Sequence, residues 1–557
     1  MGGGESLMLT AARRPYVGLA LVLSILLAAC AQTPPGTVTP TGATGATGEQ
    51  PRPGGQLVFV VASEPPSFDA HKEVTYAVLH PVSPHYSLLL RYDPEDLTKI
   101  IPDVAASMPE ISADKLTWTI KLRQDVLFHD GSKMTSADVV ATYNKIIFPP
   151  TGVVSARKAA YNAVESVTAV DANTVQFKLK YPSASLLAGL ASPWNYIYSA
   201  AKLQQNIKFY ETNIMGTGPF EFASYERGSA WTGRKNAKYF LKDRPYLDGY
   251  RAVFIVDPNA QATAVRSQQA LIEFRGFTPQ VRDDLSRALP NNLAIQEAPW
   301  VCVNFVTPNN KKAPFSDVRV RKALLLGADQ WTMAPELARQ TIVRDVGGYM
   351  RPKGPFAMSD EELQKIPGFS KDGAKSRDEA KALLAAAGVP NLTFNLLNRN
   401  TPHPYEPLAI ALINEWKKIG VNVTHQPKAT AAYLADLGSG NFDVAIDFNC
   451  DFLDEPDLQL AKLQSASKAG SGLNRAGYDD DALDRMIDGQ SRETDPTKRK
   501  QLVWEIEKYA IGEKAYQWPA VWWFRIVPYN SRVRGWKIGS NHYTNQDLVS
   551  VWLAAAR

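Results

Sequence analysis

Apolar residues along this chain recur with two different periods, and that alternation constrains the fold more than any other feature. Leu116, Trp118, Ile120 and Leu122 occupy every second position, as do Val175, Phe177 and Leu179, and again Phe442, Val444, Ile446 and Phe448. Successive side chains of a strand point to opposite faces, so each run predicts a strand with one buried face. Leu57 to Val61 is continuously apolar and reads as a fully buried strand. Elsewhere the spacing lengthens. Leu408, Leu412, Trp416 and Ile419 stand four, four and three apart, the stripe of a helix that ends before Gly420. Thr135 and Asp138 form a capping signal for a helix running to about Ile147, and Asn259 to about Leu271 reads as another. Strands mixed with helices predict an α/β fold. In open sheets of that class ligands gather outside the carboxyl ends of the strands, where the run ending at Phe448 delivers Asn449, Cys450 and Asp451.

The 557 residues suffice for about three to five domain-sized units. A hydrophobic share of 45% excludes a disordered chain. Basic residues number 61 and acidic ones 56, and the basic ones are spread along the chain, which excludes a nucleic-acid-binding stripe. Cys30, Cys302 and Cys450 are too few for a disulfide framework or a thiolate zinc site. The last two lie in apolar surroundings and read as small buried side chains, with a single bridge between them left open. His71, His80 and His85 are nine and five apart with Pro81 and Pro84 between, unlike a helical zinc pair, and read as loop or cleft residues. There is no Gly-Lys-Ser/Thr phosphate loop and no Gly-x-Ser-x-Gly elbow. No catalytic residue, cofactor or metal site is therefore expected, although the sequence cannot pair carboxylates across space and leaves a glycosidase-like dyad open.

Arg13 and Arg14 precede an uncharged apolar run from Val17 to Leu27, the pattern of a secretory signal peptide. It is too short to span a bilayer core, which needs about 20 residues. It ends at Leu27-Ala28-Ala29-Cys30, which resembles the bacterial lipobox and implies lipidation of Cys30 after removal of residues 1–29. Residues 30–55 are dominated by Thr, Pro, Gly and Ala and read as a flexible tether.

Several segments together resemble the extracellular solute-binding proteins of ATP-binding-cassette importers, family 5, whose members bind dipeptides, oligopeptides and nickel. They are Pro65-Pro66-Ser67-Phe68-Asp69-Ala70, Phe128-His129-Asp130-Gly131 with Ala137-Asp138-Val139, Gly216-Thr217-Gly218-Pro219-Phe220, Pro314 to Leu324, and Asn441-Phe442-Asp443. They follow the family order across nearly the whole mature chain. The stretch Gln268 to Glu273 departs from the family's Gly-x-x-Asp-like pattern.

The resemblance implies a two-lobed periplasmic-binding-protein-like α/β fold (class II, cluster C) with an additional inserted subdomain. Lobe I would comprise 56–86, 215–297 and 519–557, the insertion 87–214, and lobe II 298–518. It further implies a non-enzymatic, monomeric protein, periplasmic or on the cell surface, held to a bacterial membrane only by lipid. Such a protein closes its lobes around a short peptide and passes it to permease subunits. A non-peptide solute such as an oligosaccharide, opine or metal chelate is the alternative within the class, and a lipoprotein hydrolase the alternative outside it. By resemblance Asp451 meets the ligand α-ammonium. The local stretch is one residue longer than the usual pattern, so Asp454 is a second candidate. Arg399 resembles the arginine that dipeptide binders use for the ligand carboxylate. Phe448 stands where oligopeptide binders often carry Trp, beside Asn449, and Phe68, Tyr86, Trp194 and Trp300 are candidate cleft aromatics.

Overall fold

The computed structural model describes residues 49–451, 453–469 and 473–555. The expected signal peptide, Cys30 and most of the expected tether lie outside them. Among the described residues no helix is long and apolar enough to cross a membrane.

Gln56–Val61 is the buried strand expected from its apolar run. It pairs in parallel with Gly249–Phe254 and Ile272–Glu273 in a five-stranded sheet completed by Ala230–Lys235 and Phe220–Glu226. A six-stranded sheet runs in the order Val343–Asp345, Trp518–Asn530, Leu293–Pro308, Val444–Cys450, Thr393–Arg399, Asn422–Lys428. Between residues 89 and 197 the chain builds a separate core around a four-stranded antiparallel sheet, which includes Thr117–Lys121 and Thr174–Leu179, and the helix Ser136–Ile147. That helix carries the expected capping box between Thr135 and Asp138. The striped helix runs from Tyr405 to Lys417, with Leu408, Leu412 and Trp416 buried, and Gly420 beyond its end has φ +83°. The helix expected from Asn259 to Leu271 is shorter, Pro258–Arg266, because Leu271 and Ile272 turn into the edge of the five-stranded sheet.

Two long antiparallel strands, Leu293–Pro308 and Trp518–Asn530, tie the two larger cores together. Trp300, Val303 and Phe305 on one strand and Trp518 to Trp523 on the other belong to the core of the six-stranded sheet. Further along, Val527 and Tyr529 belong to the core of the five-stranded sheet. The Asn530 amide donates to the Leu271 carbonyl (2.7 Å) and the Phe277 amide to the Ile526 carbonyl (2.8 Å). The passage between cores therefore lies inside the paired strands, near Pro299–Phe524, where their register shifts. On the second strand it falls several residues after the expected boundary at 518/519, because the aromatics from Trp518 to Trp523 face the six-stranded sheet's core.

Cys302 and Cys450 stand directly opposite each other on adjacent strands and are joined by a disulfide, so they are not two separate buried thiols. His71 lies in a turn, as expected of a loop residue, whereas His80 and His85 lie in helical segments. All three are buried: His71 Nε2 lies 3.0 Å from the Tyr196 carbonyl, His80 Nε2 2.9 Å from the His542 carbonyl, and His85 Nδ1 2.8 Å from the Phe220 carbonyl. Burial holds His80 and His85 down to about 3, which makes them neutral packing groups.

The segments that carried the family resemblance prove to be joints. Asp69 is buried against Lys145 Nζ at 2.6 Å, tying the Pro-Pro-Ser-Phe-Asp turn to the helix of the insertion, and Tyr198 Oη and the His71 amide also donate to it. Gly216 and Gly218, just before the strand Phe220–Glu226, let the chain lie on the His85–Tyr86 backbone. A Cβ at Gly218 would sit 2.3 Å from the Tyr86 nitrogen, and one at Gly216 2.0 Å from the His85 oxygen. His129 closes this joint through the Gly216 and Gly218 carbonyls. Arg321 is buried and donates to the carbonyls of Phe315, Ser316, Lys514 and Ala515, while Asp317 caps its helix. Asp443 accepts the Asn395 amide (2.9 Å) and pairs with Lys312 (2.5 Å).

Candidate functional site

The strand Val444–Cys450 ends beside the passage between the cores, and the Asp451 amide donates to the Val301 carbonyl at 3.0 Å. Asp451 is thereby fixed next to Trp300. One of its carboxylate oxygens accepts from Asn449 Nδ2 (2.8 Å), and among the described residues no cation lies within ion-pair distance. Burial pushes this carboxyl up to about 7, offset in part by Lys462 and the Asn449 hydrogen bond. Asp454 differs. Arg351 reaches one of its oxygens through Nε (2.9 Å) and Nη2 (2.5 Å), so its charge is already matched.

Asn449 also donates to Gln459 Oε1 (3.2 Å), leaving Gln459 Nε2 a buried donor with no partner among the described residues. Trp194 Nε1 is a second such donor. Buried donors in a folded protein are nearly always bonded, so each orphaned one is a donor that a polar solute could satisfy. The Trp194 ring lies under the Arg157 guanidinium (4.2 Å) and against Tyr543 (5.3 Å). Burial raises the Tyr543 phenol, with Arg275, Arg157, Tyr76 and Asp451 all within electrostatic reach. Trp300 meets Trp523 and His542 edge-on, each at 5.4 Å. Trp523 in turn lies 6.3 Å from Tyr405, and Arg399 is 5.6 Å from that ring. Arg399 donates to Thr430 Oγ1 (2.9 Å) and has no ion pair among the described residues.

The site residues expected from the sequence are thus brought together in part. Asp451, Asn449, Trp194 and Trp300 lie near the passage between the cores, and Arg399 lies farther off, beyond Trp523 and Tyr405. Phe448 faces the other way, packing on the cluster of Leu397, Tyr433 and Phe442 between Lys462 (5.4 Å) and Arg475 (5.6 Å), cations held by the buried Asp447. Tyr86 is buried in the first core, stacked on Tyr196 at 4.7 Å, and Phe68 is half-buried at the edge of that core, packing edge-on to Tyr225 and Trp231. Sequence reasoning missed Arg157, Arg275, Gln459 and Tyr543. None lies in a periodic run or a motif, although the departure at Gln268–Glu273 immediately precedes Arg275.

A cavity of about 1100 Å³, part of it open to solvent, lies between the insertion and the 453–491 region. Its walls include Arg157, Tyr161 and Asn195 on one side and Leu453, Glu455 and Gln464 on the other. Its rims touch. The Ala184 amide donates to the Ser491 carbonyl (3.1 Å), Lys115 Nζ to Thr494 Oγ1 (2.5 Å), and Arg492 lies over Tyr181 (4.7 Å). Asp451 does not line this cavity; Arg157, which does, lies over Trp194, and Trp194 packs against Tyr543. Among the described residues no group of three or more His, Cys, Asp or Glu side chains could hold a metal ion.

Comparison with known proteins agrees with this architecture. The di/tripeptide-binding protein 2 of Pseudomonas aeruginosa is 26% identical over 81% of this chain and 87% of its own length. Two solved structures share the fold: DppA from Helicobacter pylori with the peptide STSA (TM-score 0.73, 23% identity, 90% of this chain and 98% of that one) and AgaA from A. tumefacien R10 with agropinic acid (0.73, 23%, 90% and 99%). Both are two-lobed binding proteins. The family model for bacterial extracellular solute-binding proteins, family 5 Middle, matches residues 99–471, more than half of the chain. The chain belongs to the bacterial extracellular solute-binding proteins of family 5.

Proposed function

We propose that this protein captures a short peptide between its lobes and delivers it to the permease of an ATP-binding-cassette importer, without chemical turnover. The observation that carries the reading is Asp451. It is a carboxylate placed at the passage between the cores with one hydrogen bond and no cation, and a ligand ammonium would complete it with charge-assisted hydrogen bonds. Asp454, already held by Arg351, is the weaker candidate. Arg399, at the far end of the Trp300–Trp523–Tyr405 row, supplies a guanidinium for the ligand carboxylate. Contacts made by both lobes favour the closed arrangement, which is the state a permease can distinguish. The names of relatives agree in kind, one binding di- and tripeptides and another structure holding a tetrapeptide. Lipidated Cys30 would keep a monomer beside the membrane on the 30–55 tether, periplasmic or at the cell surface.

Calorimetric titration of the mature protein with trialanine and with N-acetyl-trialanine tests the assignment. Trialanine is expected to bind at least tenfold more tightly, and Asp451→Asn to weaken trialanine alone. Equal losses for both peptides would remove the α-amine role from Asp451.

A further inference from the structure

Lobe I presents a second charge to the same place. Arg275 is half-buried, its guanidinium 4.3 Å over the Tyr76 ring and 5.9 Å from the Trp300 ring. Of the five N–H donors a guanidinium offers, one is used, Nη1 toward Tyr76 Oη at a long 3.3 Å. Nε is buried without a partner, and among the described residues no carboxylate reaches ion-pair distance. The neighbouring cations are engaged: Arg525 with four backbone carbonyls, Arg351 with Asp454, Arg499 with Glu455 and Asp457. Arg275 is the exception.

The backbone beneath it is fixed. Glu273 accepts the Gly276 amide (2.7 Å), and Arg525 donates to the Phe274 and Arg275 carbonyls. Gly276 has φ +118°, and a Cβ there would stand 2.6 Å from the Ile526 carbonyl oxygen. The turn fixes where the side chain starts, and the Tyr76 ring and hydroxyl orient the guanidinium near Trp300, the preorganisation an anion contact benefits from. On the other side of the same strand step, the Val301 carbonyl holds the Asp451 amide. Arg275 and Asp451 both act on the Tyr543 phenol. A lobe I cation and a lobe II carboxylate, each without an ion-pair partner, therefore flank one point of the passage, while Arg399 lies farther along the aromatic row.

We propose that Arg275 receives a second anionic group of the bound solute, an acidic side chain on its amino-terminal residue, and so selects short peptides that begin with Asp or Glu. The inference rests on the peptide reading above. A solute with an ammonium and a neighbouring side-chain carboxylate satisfies Asp451 and Arg275 together, and the bidentate fit of guanidinium to carboxylate favours it over the corresponding amide.

Titration calorimetry with Glu-Ala and Gln-Ala, near-isosteric dipeptides differing by one charge, tests this. Glu-Ala is expected to bind wild-type protein at least tenfold more tightly, and Arg275→Gln to bring the two within about threefold by weakening Glu-Ala alone. Equal binding of the two by wild-type protein, which needs no variant to fold, overturns the inference while leaving the peptide reading intact. So does an equal loss for both peptides in Arg275→Gln, which would mark Arg275 as structural. Selectivity for Ala-Ala-Glu over Ala-Ala-Gln without selectivity for Glu-Ala would place the anion elsewhere and also overturn it. If none of these peptides binds, the peptide reading falls and takes this inference with it.

Discussion

If Asp451 takes a ligand ammonium, affinity must follow two protonation states at once. The free carboxyl, pushed up to about 7 by burial, must ionise, and the peptide α-amine, with an ordinary value of about 7.8, must keep its proton. Binding is proportional to the product of the two fractions, provided the bound ammonium pulls the Asp451 carboxyl back toward the usual carboxylate range. With those values the product peaks near pH 7.4 at about 0.5, falls to about 0.01 at pH 5, and is about 0.06 at pH 9. Trialanine should therefore bind about 50-fold more tightly at pH 7.4 than at pH 5, and about 9-fold more tightly than at pH 9. The acid limb belongs to the protein and the alkaline limb to the peptide. Both limbs need the ammonium–carboxylate pair, so Asp451→Asn with trialanine and wild-type protein with N-acetyl-trialanine should each show a weak affinity without the acid or the alkaline limb. Calorimetry in buffers of matched ionic strength reads all three profiles. An affinity for trialanine that changes less than about threefold between pH 5 and 7.4 would refute the reasoning, because a buried carboxyl must lose its proton before it can pair with a cation.

Glu507 is fully buried, one oxygen accepting the Met350 amide and the other unpartnered among the described residues, and its carboxyl is pushed up to about 8. Its folded-state value lies above that of the unfolded chain, so stability should fall as pH rises from about 4.5 to 8; Glu507→Gln should remove that slope and raise stability at pH 8 by about 3–5 kcal/mol, seen in denaturant melts. Lys145→Met should cost about 3–5 kcal/mol by leaving Asp69 buried without its cation, and the double change with Asp69→Leu should recover much of it. Gly218→Ala should destabilise by about 1–3 kcal/mol or prevent folding, since its Cβ meets backbone that cannot yield. Replacing Cys302 and Cys450 together by serine should lower stability by about 2–4 kcal/mol, because the bridge closes a separation of 148 residues, and reduction of the wild type should reproduce that loss in thermal melts.

Local period carried most of the secondary structure. The strands at 57–61, 117–121, 174–179 and 444–450 and the helices at 136–147 and 405–417 follow from spacing and capping, because those signals are written in neighbouring residues. The family motifs were legible for a different reason. Asp69, Gly216, Gly218, Arg321 and Asp443 hold segments together, and a joint tolerates few substitutions whatever the solute. They say little about the ligand. The site itself was half legible: Asp451 and Asn449 follow from a strand that ends at the sheet's carboxyl edge, whereas Arg157, Arg275, Gln459 and Tyr543 meet only through tertiary packing. For aromatics, sequence gives the ring but not its neighbours. Trp194 meets Arg157 and Tyr543 and Trp300 meets Trp523 and His542, while Phe68 and Tyr86, of the same type, pack on Trp231 and Tyr196. The exchange of cores along Trp518–Asn530 was hidden because one continuously buried strand serves both.

The most direct test of a peptide clasped at Asp451 is native mass spectrometry of the mature protein, incubated with an equimolar mixture of short peptides and their N-acetylated counterparts. The account predicts a retained mass matching one free-amine peptide per chain, displaced when the solution is brought to pH 5 and absent from Asp451→Asn. Retention of the acetylated peptides to the same extent, or retention unaltered by Asp451→Asn, would contradict it.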